Sequence, residues 1–155
     1  MEEHDVRDYF EKIEQRYGGP VHFKTFATFY RITEGKVTHT SGLLCLVHEH
    51  IYFEDFERSG NSILNLFTTG KKKPEYTKFI IDRPISKVES CFQIPSSISQ
   101  TFLQGRIHRD QLQPSTRMQR IVSKSRLYIR FSDQTDWVVD PLDPKKFIDA
   151  LEERR

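Results

Sequence analysis

The chain has only two cysteines, Cys45 and Cys91, and they form no C-x-x-C pair. Each sits among strand-forming residues, so buried free thiols are preferred over a disulfide or a metal role. No apolar run approaches the roughly 20 residues that a membrane-spanning helix needs. The N-terminus, MEEHDVRDYFEKIEQRY, is acidic and periodic, the reverse of a signal peptide's basic-then-apolar order. These absences predict an intracellular, cytoplasmic protein with no transmembrane segment, and leave open a peripheral position at a membrane.

Catalytic signatures are equally scarce. There is no G-x-S-x-G elbow, and neither cysteine lies in a nucleophile motif. Ile107-His108-Arg109-Asp110 contains the tripeptide of kinase catalytic loops. QLQPS follows it, without the Asn that would help hold magnesium, and no phosphate-covering glycine loop accompanies it. Gly70-Lys71 lacks the glycine five residues earlier, and Lys72 stands where a phosphate loop needs Ser or Thr. His48-Glu49-His50 could turn two imidazoles to one strand face, with His39 and Cys45 nearby. Zinc sites take three or four ligands, however, and the triplet falls where a hairpin turn is expected, so the turn reading is preferred. No enzyme is indicated, and no cofactor is implied.

What is present suits one small domain over residues 1–155, with 36% hydrophobic and 30% charged residues. Val6, Tyr9, Phe10, Ile13 and Tyr17 recur at helical spacing over 2–17, and Gly18-Gly19-Pro20 stops the helix. Such a helix is expected to pack on its own domain. VHFKTFATFYRIT (21–33) favours a strand from about Ala27 onward, although Phe23, Phe26, Ala27 and Tyr30 also share a helical face. Glu34-Gly35-Lys36 makes a turn.

Residues 37–57 form the clearest hairpin, with Leu43 to Val47 apolar on both faces, as in the middle of a sheet. A long loop is expected over 58–76, then short strands around Asp82-Arg83-Pro84, where proline marks an edge or a bend. Residues 94–120, with two prolines and many Ser and Gln, read as an exposed, mobile insertion. Strand character is expected to return from Ile121. Leu127, Ile129 and Phe131 alternate with Tyr128 and Arg130; SDQT turns the chain, and Trp137 to Val139 extends it again. Asp143-Pro144 then caps a helix that carries Phe147, Ile148 and Leu151 on one side.

The net charge of +2 hides an uneven distribution. Residues 1–70 hold 7 Lys/Arg against 11 Asp/Glu, 71–130 hold 13 against 4, and 131–155 hold 4 against 7. An anionic partner would therefore be drawn to the middle of the chain. Lys71, Lys72, Lys73 and Lys78, with Arg106, Arg109, Arg117 and Arg120, are the candidate anion- or lipid-binding residues. The competing reading is that these charges are solvated and simply keep the surface soluble. Nucleic acid is disfavoured because aromatic residues are not interleaved with the basic ones.

The order of elements, several antiparallel strands and a closing hairpin followed by one helix, resembles the pleckstrin-homology (PH) superfold, and especially its GRAM-like and bacterial relatives. The residues that carry the resemblance are Ser41-Gly42-Leu43-Leu44-Cys45-Leu46-Val47, the HEH turn, Ile51-Tyr52-Phe53, Ile85 to Val88, and Phe131 to Leu151. The similarity covers roughly 27–93 and 121–151 and rests on polarity patterns.

It implies a mainly β fold: a seven-stranded antiparallel barrel over 20–142, with insertions at 58–76 and 94–120. A capping helix would follow at 143–153, and 1–19 would be a helical extension. It also implies a non-enzymatic recognition module for an anionic membrane lipid or a protein partner. The chain departs from the lipid-binding members in having only Arg31 and Lys36 as basic residues over 27–47. A protein-interaction adaptor, using a strand edge or the N-terminal helix, is the alternative.

Overall fold

The structure, a computed structural model, describes residues 3–56 and 78–155. The expected loop at 58–76, with Lys71, Lys72 and Lys73, lies outside the described residues. The chain opens with helix α1 (Glu3–Tyr17) and continues into strands β1 (Val21–Thr33), β2 (Lys36–Val47) and β3 (His50–Asp55). Strands β4 (Ile80–Pro84) and β5 (Val88–Pro95) follow, then helices α2 (Ser96–Leu103) and α3 (Arg117–Val122). Strands β6 (Ser125–Phe131) and β7 (Asp136–Pro141) and helix α4 (Pro144–Glu152) complete it.

The strands form one antiparallel sheet in the order β4-β3-β2-β1-β7-β6-β5, curled into a half-barrel. The link between the two edge strands makes the curl necessary. Only the 3-10 turn Ile85–Lys87 joins β4 to β5, and that span reaches at most about 14 Å. In a flat sheet the outer two of seven strands would lie about 29 Å apart. The sheet must therefore bend until its edges approach, and Ile85 and Val88 are buried at that closure.

Bending creates an inside and an outside, and strand alternation serves both. On β2, Leu44 and Leu46 face the inner core with Phe29, Phe53, Ile129 and Trp137, while Cys45 and Val47 face the other way. Helix α4 seals the inner core with Phe147 and Leu151, and the Phe147 ring meets Phe23 edge-on at 6.0 Å. Helix α1 covers the outer face of β2 and β3, burying Ile13 against Cys45, Val47 and Tyr52. Two tight glycines among the described residues are explained here. A Cβ on Gly19 would run into the His48 ring, and one on Gly42 into the backbone of Glu54 and Asp55.

Several local expectations hold for stated reasons. His48 and Glu49 form the β2–β3 turn, with His48 at φ 50°. Pro84 ends β4, an edge strand, where its missing N–H disturbs no inner ladder. Asp143 accepts the Lys146 N–H at 3.0 Å, and Pro144 occupies the first turn of α4. Asp143→Ala is expected to cost about 1 kcal/mol of folding stability, read as a lower urea midpoint. Both cysteines are free thiols, and burial pushes each up to about 12, so neither ionises near neutrality.

Three expectations are corrected. First, strand β1 starts at Val21, because β2 pairs along its whole length down to Val47 and carries the extended backbone through Phe23 to Phe26.

Second, 94–120 is not an exposed irregular insertion. β5 runs to Pro95, and α2 and the segment after it pack on the outer face of the second half of the sheet. Ile94, Leu112, Tyr128 and Val138 are buried there against Phe102 and Ile107. The polar composition concealed how few apolar residues such a cover needs.

Third, Ile121 and Val122 do not begin a strand. They belong to α3, and β6 begins at Ser125.

Candidate functional site

The sequence assigned anion binding to eight basic residues, and the described ones differ in how their charges are met. Lys78 pairs with Glu54, which is 6% exposed. Glu54 also accepts hydrogen bonds from the Tyr9 hydroxyl at 2.5 Å and from the Tyr52 hydroxyl. Burial alone would raise the Glu54 pKa, but hydrogen bonds from Lys78, Tyr52 and Tyr9 outweigh it and hold the carboxyl below its usual range. Burial, together with hydrogen bonding to the carboxylate, pushes both tyrosine hydroxyls well above theirs. This cluster ties α1 to β3 and to the start of β4. Tyr17 adds a second tie, donating to Asp82 at 2.8 Å.

Arg109 is also committed to the fold. Its side chain is 11% exposed and lies 3.0 Å from Asp136, while donating to Gln134 Oε1 at 2.7 Å and to the Phe131 carbonyl at 3.1 Å. Tyr128 donates to the same Asp136 at 2.6 Å, and Arg130 donates to the Arg109 carbonyl. The network fastens the 104–116 segment to the β6–β7 turn. It accounts for the His-Arg-Asp tripeptide structurally: His108 caps a 3-10 turn, Arg109 anchors it, and Asp110 sits 3.5 Å from Arg130.

Arg106, Arg117 and Arg120 remain exposed. Arg120 donates one N–H to the Ser115 carbonyl at 2.8 Å. The side chains of Arg106 and Arg117 have no hydrogen-bond or ion-pair partner among the described residues. Arg117 and Arg120 share α3, and that helix holds what sequence reasoning missed. Met118, Ile121 and Val122 are 68%, 73% and 72% exposed, and no residue of α3 is buried.

Helix α3 forms locally. The Thr116 hydroxyl accepts the Gln119 N–H at 3.2 Å, and the Gln119 side chain accepts the Thr116 N–H at 2.9 Å. Ser123 closes the other end by donating to the Gln119 carbonyl at 2.7 Å. The backbone is tied down on both sides. Ser115 N–H donates to the Gln93 carbonyl at 2.7 Å, and the Lys124 carbonyl accepts Ser96 N–H at 2.8 Å.

At about 100° per residue, Met118, Ile121 and Val122 fill one arc of the helix and Arg117 and Arg120 the adjoining arc. Lys124 follows, exposed and 3.6 Å from Asp140. Leu142, just past β7, is exposed as well. Leu142 N–H in turn donates to the Phe26 carbonyl at 3.1 Å, and the exposed Phe26 ring meets Phe56 at 5.5 Å. The sequence signal was available in Thr116-x-x-Gln119 followed by apolar residues at 118, 121 and 122, a capping box leading into an amphipathic turn.

No protein-family model matches this chain, and no curated protein matches it.

Proposed function

We propose that this chain is a non-enzymatic recognition module of PH- or GRAM-like type, whose ligand is an anionic membrane lipid or a protein partner. The PH-like label is supported by the strand order, in which a four-strand and a three-strand meander meet at β1 and β7, and by α4 over the inner core. The reading rests above all on where the side chains of the middle segment end up. Among the described residues the inner core is lined by buried apolar side chains, both outer faces carry helices, and the acidic groups at Glu54 and Asp136 are paired with Lys78 and Arg109. A ligand is therefore met on the surface, where Arg106, Arg117 and Arg120 are exposed.

The lipid form predicts co-sedimentation with phosphatidylcholine vesicles that contain phosphatidylserine. Binding should weaken steeply with added salt and be much lower without the anionic lipid. Equal sedimentation with both vesicle types, or none with either, would sink it. The Lys71→Glu, Lys72→Glu, Lys73→Glu variant measures what those three lysines contribute.

One observation favours a protein partner: β4 is an edge strand with Ile80 exposed, a place where an extended peptide could add. The N-terminal helix is less suited to docking a partner, since its apolar face already covers Cys45, Val47 and Tyr52.

A further inference from the structure

We propose that α3 is the membrane-contacting element: Met118, Ile121 and Val122 enter an anionic bilayer while Arg117 and Arg120 meet the lipid phosphates. This deepens, and rests on, the reading of the chain as a surface-recognition module.

The first ground is the sense of the helix. A short amphipathic helix in a folded protein turns its apolar arc inward, because that is where burial stabilises it. Here the arc faces out, and all three apolar side chains are about 70% exposed. Loose packing is not the cause. The capping box and the main-chain bonds from Ser115 and Lys124 hold the helix at both ends. A helix anchored in this way presents its apolar arc as a fixed feature and loses little further freedom when it binds.

The second ground is charge, which selects the occupant. Arg117 and Arg120 lie beside the apolar arc and Lys124 just beyond it, within the segment that carries 13 basic residues against 4 acidic ones. Apolar side chains to enter the acyl boundary, with basic ones level with the headgroups, make an interfacial anchor. Unbranched Met118 adapts to a fluid surface at little cost. A second copy of the chain would bring the same basic arc against itself in a two-fold contact, which like-charge repulsion opposes. Single-stranded nucleic acid would call for aromatic platforms, and α3 has none.

The test uses the full chain and vesicles of phosphatidylcholine with and without phosphatidylserine. The Met118→Ser, Ile121→Ser, Val122→Ser variant should lose about tenfold or more in partitioning to the anionic vesicles. Its thermal midpoint should be unchanged, because these residues are exposed. Met118→Trp should shift its emission to the blue on adding anionic vesicles and be quenched by brominated acyl chains. The buried Trp137 supplies a constant background.

If the wild-type chain binds anionic vesicles and the triple-serine variant binds equally well, α3 is not the contact, although the broader reading survives. If the wild-type chain binds no vesicle, both the lipid reading and this inference fall. A dimer in sedimentation equilibrium that the serine variant dissociates would overturn the inference in favour of a second copy.

Discussion

Replacing Glu54 with alanine is expected to lower folding stability by about 3 kcal/mol and to loosen α1 from the sheet. The carboxylate is buried and serves Tyr9 on α1, Tyr52 on β3 and Lys78 just before β4. Its removal leaves two phenolic hydroxyls and an ammonium group without their shared acceptor. The cost is chiefly that of leaving the two hydroxyls unsatisfied, since the intact ion pair itself contributes little net stability. Hydrogen exchange should show faster opening of Tyr9 to Tyr17 than of β6 and β7. Equal acceleration throughout would mean that the cluster does not act as a clamp.

The same group predicts an acid dependence. The Glu54 pKa lies below its unfolded value of about 4.3. Its contribution to stability is therefore complete above that pH and is lost as pH falls through the folded pKa. Glu54→Gln keeps the size and removes the charge. Urea midpoints followed from about pH 7 downward should show the gap between the two proteins narrowing once pH falls below about 4.3. A gap that stays constant across this range would refute the linkage.

Trp137→Ala is expected to cost about 4 kcal/mol, the largest effect of any single substitution considered. The indole is 2% exposed, lies 5.4 Å from the Phe29 ring and 5.2 Å from Phe131, and pairs across the ladder with Ile129. It sits where β1, β6 and β7 curl around the inner core, and the paired strands restrict how far its neighbours can move in to close the cavity. Trp137→Phe should retain much of the lost stability. Far-UV circular dichroism in urea is the suitable readout, because the variant removes the only tryptophan. A loss below about 1.5 kcal/mol would mean that the core closes over the missing indole.

Most of the fold was legible because its signals are local. Period-two alternation at Leu127–Phe131, the turns at Glu34-Gly35 and His48-Glu49, and the Asp143-Pro144 cap need only neighbouring residues, and each element forms as read. The errors fell where the decisive partner is distant in sequence. β1 is extended through Val21 to Phe26 because β2 pairs with it. The 94–120 segment is held by contacts to Tyr128, Val138 and Phe131 that no local window contains.

The candidate site divides in the same way. Charge composition located the basic segment, but it could not separate Arg109, paired with Asp136, from exposed Arg117. The apolar arc of α3 passed for the start of a strand because only two residues separate β-branched Ile121 and Val122 from β6.

From its residues alone, then, this chain determined most of its strands, its first and last helices, its turns and the uneven placing of its charge, since backbone preference and side-chain alternation act over a few positions. Tertiary structure decided which charges are left for a ligand and which apolar residues stay in water. Both depend on what the curled sheet brings together: Glu54 claims Lys78, Asp136 claims Arg109, and bonds from Gln93 and Ser96 hold α3 with its apolar arc outward. Pairing and burial are properties of three-dimensional neighbours, and composition counts a buried arginine and an exposed one alike.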